Sequence, residues 1–274
     1  MGSARTPAVA RPGRFLLTAL IRIGGVAAVL ALWQLLSATG VLPGDSFPSM
    51  WAVFRAVVKE LGRGSGWRAI GNTLVGWGIG FAIGAAAAIV VGLAIGLNRA
   101  AFRSTILVIE FMKTIPVIAI LPIVVLQFGG TLKMEYIVVA FGVFWPLVIQ
   151  VVYGVRSMDP LVRDTAEVLQ VTGLRRFSLV VLPSAAPFIA TGLRIAAAVA
   201  LILAIIAELI GGAAGLGRDI LVAEDSGASA LPLVYALIVI TGMTGIVIAT
   251  TFALLERRLL RWHERFRPTE GGLA

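Results

Sequence analysis

Cysteine is absent from the 274 residues and histidine occurs once, at His263. The first absence excludes disulfides and thiolate metal sites, and His263 lies in a basic C-terminal segment where it reads as a surface residue rather than a ligand. Charge is scarce as well, with 14% Asp, Glu, Lys and Arg against about 25% in soluble domains. No G-x-x-x-x-G-K-[ST] occurs, so nothing cradles nucleotide phosphates and the chain cannot be its own motor. HExxH, Cys-based motifs and a G-x-S-x-G elbow are missing too, and the sequence predicts no catalytic residue and no metal site.

What is present is apolar. Hydrophobic residues make up 59% of the chain and the mean hydropathy is +0.98, values of an integral membrane protein. Long apolar runs without strict alternation favour helices, which satisfy their own backbone polar groups in lipid. Basic residues outnumber acidic ones by 23 to 14, but they cluster at the ends of apolar runs, so the balance points to membrane topology and not to nucleic acid.

Residues 1–19 read as a cytoplasmic tail, 20–260 as a membrane domain and 261–274 as a second cytoplasmic tail. Spans are predicted at about 20–40, 69–97, 104–127, 134–154, 186–210 and 231–255. The first is too long for a signal peptide and lacks a strong cleavage site. Met50 to Leu61 reads as an amphipathic helix in the outer interface, with Trp51, Phe54, Val58 and Leu61 on one side and Arg55 and Lys59 on another. The second span is rich in glycine and alanine, and Gly80 and Gly84 give it a small-x-x-x-small face for close packing. With the N-terminus inside, 15 basic residues fall on the inner side and six outside. That bias places both termini in the cytoplasm.

Ionisable residues within spans are candidates for function. Glu110 and Lys113 share a helix face and are placed to neutralise each other. Lys113 is also a candidate for the translocation path, with Pro116, because the prolines just beyond it free carbonyls that are tolerated where they line water or protein. Glu208 is expected to face an outer gate or an external partner. Arg194 is expected to anchor the inner boundary, and Glu135 to be interfacial.

The stretch 159–183 is polar and carries its own punctuation. Asp159 is placed to cap a helix whose first residue is Pro160, and Gly173 to end it. Val162, Ala166 and Leu169 form an apolar face, while Asp164 and Glu167 lie in the early turns. An ordinary charged loop and a short helix lying across the membrane surface are both compatible with the composition.

The run DTAEVLQVTGLRRFSLVVLP resembles the E-A-A-x-x-x-G, nine residues, I-x-L-P signature of permease subunits of binding-protein-dependent ABC importers. Asp164 takes the acidic place, Ala166 the second Ala, Val180 the apolar place, and Leu182 with Pro183 the closing pair. Two places depart: Thr165 replaces the first Ala, and Gln170 stands where the family has Gly, with Gly173 three residues later. Similarity to the aliphatic sulfonate, taurine and nitrate branch extends from about Leu42 to Leu260, through IPVIAILPIVVLQFG, GVRSMDPLVRDTAEVL, VVLPSAAPFIATGLRIA and AELIGGAAGLG.

The resemblance implies an all-α fold of six transmembrane helices with a cytoplasmic coupling helix, the type I importer permease fold, in a bacterial inner membrane. Its implied partners are a second copy, two ABC ATPase subunits and an extracytoplasmic substrate-binding protein. ATP and Mg would be bound by the ATPase, and no cofactor by this chain. The implied coupling residues are Asp164, Ala166, Glu167, Gln170, Gly173, Leu182 and Pro183. A stand-alone channel or ion-coupled carrier is the alternative, for which a coupling helix would be superfluous; a membrane scaffold would need no broken spans.

Overall fold

Six small residues recur every fourth position from Gly76 through Gly80, Gly84, Ala88 and Gly92 to Gly96. In the computed structural model, which describes residues 12–40, 43 and 46–260, they lie on one long helix, Gly64–Leu97 (α3 in chain order). Helix α6, Leu132–Arg156, runs parallel against this stripe. Gly76 meets Glu135, Gly80 meets Val139, Gly84 meets Ala140 and Val143, Gly92 meets Val151, and Gly96 meets Val155. Glycine is required at these rungs because a Cβ at Gly84 would stand 2.6 Å from the Ala140 carbonyl oxygen. Twenty residues of helix at 1.5 Å each carry the contact over about 30 Å, the thickness of a bilayer core.

The remaining helices are α1 Pro12–Ala38, α2 Met50–Leu61, α4 Arg99–Met112, α5 Val117–Phe128, α7 Pro160–Val168, α8 Gly173–Arg176, α9 Leu182–Gly211, α10 Leu216–Asp225 and α11 Leu231–Leu259. No strand occurs among the described residues. Antiparallel α9 closes the other side of α6, again through small residues: Gly192 packs on Leu147 and Gln150, and Gly154 on Phe188. The core is therefore the α3, α6 and α9 sandwich, with Ala88, Val143, Leu147, Val151, Ala196 and Ala200 at its centre. Outside it, α11 is tied to α9 by the Arg194–Glu256 ion pair at 3.1 Å, and Thr191 donates to the same carboxylate at 2.8 Å. Arg194 thus has a specific partner, which the sequence reading did not supply. Leu107, Leu126, Val90 and Ile246 are exposed, as lipid-facing side chains of a membrane protein are.

Four described helical stretches are long and apolar enough to cross a bilayer: α3, α6, Gly173–Gly211 and Ala228–Leu259. The stretch expected as a third span is instead two helices, α4 and α5, bent by 82°. Pro116 is the reason, since it lacks the N–H to continue the ladder and biases Ile115 away from helix. Counted as one broken span, the pair raises the number to five. Helix α1 adds the apolar stretch Ala27–Ala38. Residues 1–11 and 261–274, with His263 and most of both expected tails, lie outside the described residues.

Helix α2 begins at Ser49, whose hydroxyl accepts the Ala52 N–H. Its Trp51, Phe54 and Val58 are exposed while Val53 and Glu60 are buried, so most of the apolar face read from the sequence points outward, but Leu61, its fourth member, packs inward against the core. Replacing Gly84 by Ala is expected to lower stability by about 1–3 kcal/mol through overpacking against α6. The same change at Gly78, where nothing lies within 4 Å, should be neutral or slightly stabilising. Thermal unfolding of the two variants in one detergent distinguishes them.

Candidate coupling and translocation sites

The Asp159 carboxylate accepts the Leu161 N–H at 2.8 Å, and Pro160 occupies the first helical position. Nine residues later α7 stops, earlier than Gly173. The stop is made by Gln170, which has φ +52 and is the one non-glycine residue with positive φ among those described. The Val171 N–H then returns to the Ala166 carbonyl at 2.9 Å. Gly173, with φ +59, does not end this helix but opens α8. A π-helical turn, Phe177–Val181, leads from α8 into α9.

Only Ala166 of α7 is buried, at 4% exposure. Leu161, Val168 and Leu174 are 72%, 81% and 81% exposed, so α7 and α8 present apolar side chains outward that the subunit itself does not cover. The expected face of Val162, Ala166 and Leu169 is therefore split: Ala166 faces in, while Val162 and Leu169 are exposed. Asp164 and Glu167 lie on the exposed surface of the same helix. Leu182 and Pro183 open α9 and hold the far end of the segment on the bundle. A cavity of about 680 Å³ separates α7 from the bundle, lined by Gln150, Asp159, Val162, Pro183, Ser184 and Thr191 among others.

Lys113 and Pro116 sit at the break between α4 and α5, both exposed. The expected neutral pair with Glu110 does not form: Glu110 instead accepts the Tyr153 hydroxyl at 3.0 Å. Among the described residues Lys113 has no carboxylate within ion-pair distance. A positive charge at a helix break, with no compensating anion, is suited to meeting an anionic solute.

Two acidic residues lie elsewhere than expected. Glu208 is completely buried and accepts the Gly217 N–H at 2.7 Å, which fastens the turn between α9 and α10. Gly215 leaves room for its carboxylate, and beside it the Leu216 N–H donates to the Thr73 hydroxyl. Glu208 is therefore turned into the fold and not outward toward an external partner. Glu135, expected at the interface, is also completely buried, and among the described residues its carboxylate has no hydrogen-bond partner. It forms the first rung of the α3–α6 stripe, where Gly76 leaves space for it. Outside the core, burial holds the Asp219 carboxyl of α10 above the usual range, with Glu60 adding to the effect and Arg218 opposing it.

A sequence profile described as "binding-protein-dependent transport system inner membrane component" matches residues 78–261. The chain belongs to this family. Its similar relatives include a Bacillus subtilis protein named as a transport permease for aliphatic sulfonates, SsuC, 26% identical and covering 88% of this chain and 86% of its own length. The nitrate import permease protein NrtB of Leptolyngbya laminosa is 27% identical, covering 85% of this chain and 84% of its own. An amino acid ABC transporter crystallised with histidines shares the fold, with a TM-score of 0.58 at 18% identity over 70% of this chain and 92% of that one.

In this permease the coupling-type sequence is thus a helix, a left-handed residue and a second helix start. Sequence reasoning had located the departure at Gln170 but had assigned the bend to Gly173. It missed the Tyr153–Glu110 link, the Thr73 contact and the burial of Glu135, because each joins residues far apart in the chain. A left-handed side-chain residue costs about 1–2 kcal/mol, so Gln170→Gly should raise the stability of the permease, by less than that amount because glycine gains unfolded-state entropy. Gln170→Val, with a branched Cβ at the same φ, should lower it. Thermal midpoints of the purified chain give both signs.

Proposed function

We propose that this permease is the membrane subunit of an ATP-driven importer of a small polar or anionic solute, of the sulfonate, taurine or nitrate type. It works as a homodimer with two ATPase subunits and an extracytoplasmic binding protein, in a bacterial inner membrane with both termini in the cytoplasm. The observation that carries the reading is the uncovered apolar surface of α7 and α8, with Leu161, Val168 and Leu174 exposed beside Asp164 and Glu167. Exposed apolar side chains on a short, capped helix outside the lipid-facing spans suit a protein partner.

In this reading the ATPase binds ATP and Mg and, on closing, draws the two coupling segments together. The rigid α3, α6 and α9 sandwich transmits that movement to the spans, and the break at Lys113 to Pro116 lets one span open differently above and below it. Lys113 attracts the solute, in keeping with the anions in the names of the relatives.

Reconstitution with the ATPase and binding protein of the same system tests the reading. Asp164→Arg should abolish co-purification of the ATPase, while Lys113→Ala should leave it intact and lower uptake by about tenfold, the factor that 1.4 kcal/mol represents. Full uptake without any ATPase would instead indicate a carrier or channel. Unchanged uptake by the Lys113 variant would remove that residue from the path.

A further inference from the structure

Four arginines from four different helices converge on one cavity of about 540 Å³. Arg99 opens α4, Arg156 closes α6, Arg163 lies in α7 and Arg176 closes α8. None of the residues lining the cavity is acidic, and among the described residues none of the four arginines forms an ion pair. Arg156 is half-buried and held over the Phe102 ring, its guanidinium carbon 3.9 Å from the centroid. Four guanidinium groups around one space repel one another, and an anion with several acceptor oxygens is the group that relieves this.

The walls limit what carries that anion. Leu97, Phe177 and Val181 line the same cavity, at the level where α3 ends and α9 begins. The site thus combines four cationic side chains with apolar walls, at the ends of the membrane helices. We infer that this cavity binds the phosphate of an anionic phospholipid headgroup, with the guanidinium groups on the phosphate and the acyl chains along the apolar wall. Such a lipid is compatible with any transported solute. A lipid here bridges the ends of α3 and α6 to α7 and α8, and so steadies the surface segment against the bundle.

The test uses the full-length chain in mixed micelles containing either dioleoyl phosphatidylglycerol or dioleoyl phosphatidylcholine. Native mass spectrometry should show phosphatidylglycerol retained in preference to phosphatidylcholine, and its addition should raise the thermal midpoint. The double variant Arg163→Gln, Arg176→Gln should weaken that retention by roughly tenfold or more, whereas Arg103→Gln, outside the cavity, should not. A photoactivatable phosphatidylglycerol on the wild-type chain should crosslink to peptides spanning 96–99 or 173–177, which keeps the test independent of how the variants fold. Equal retention of the two lipids, or crosslinks only elsewhere, overturns the inference. Displacement of the lipid by millimolar inorganic phosphate, with the thermal shift preserved, assigns the site to a free anion and also overturns it. Loss of bound lipid whenever the ATPase is present would give the arginines to acidic side chains of that partner, with the same consequence.

Discussion

The close approach of α3 and α6 is the constraint on which the rest of this permease depends. Because lipid chains are as apolar as leucine, helices in a bilayer gain little from hydrophobic exclusion and associate through packing. Small residues at every fourth position of α3 allow α6 side chains to reach its backbone, which multiplies weak dispersion contacts along the length of the bilayer core. With that pair in place, α9 has a rigid surface to close on. The three-helix core then holds Glu135 and Glu208 in fully buried positions that a looser bundle would hydrate.

Against this rigid core stand two irregular features. The 82° bend between α4 and α5 leaves Lys113 exposed and, among the described residues, without a carboxylate partner, while α7 and α8 leave apolar side chains uncovered. The proposed function gives each a counterpart, a solute for the first and an ATPase for the second. In the proposed function the movement passes between them through α6, whose last residue, Arg156, precedes α7 by only a short link.

Much of this was legible in the chain. Asp159 and Pro160 mark the start of α7 because capping depends on one side chain and its nearest amides. The break at Pro116 could be anticipated as a site of freed carbonyls, though not as a bend of 82°, because the angle depends on how α5 packs against α6 and α9. Gln170 illustrates the opposite case. Local preference assigned the turn to Gly173, yet the left-handed conformation also falls on Gln170, since the return of the Val171 N–H to Ala166 requires it there.

Composition and pattern by themselves determined that this is a helical membrane protein, that α3 carries a small-residue stripe and that a polar segment interrupts the spans. These properties depend on residue type and on periodicity within one helix, which the linear order contains in full. Tertiary structure alone decided the partners: Glu208 with Gly217, Arg194 with Glu256, Tyr153 with Glu110, and the four arginines with one another. Such pairings follow from which helix faces meet, and in a bundle that is set by the shape of whole surfaces rather than by any neighbouring residue in the chain.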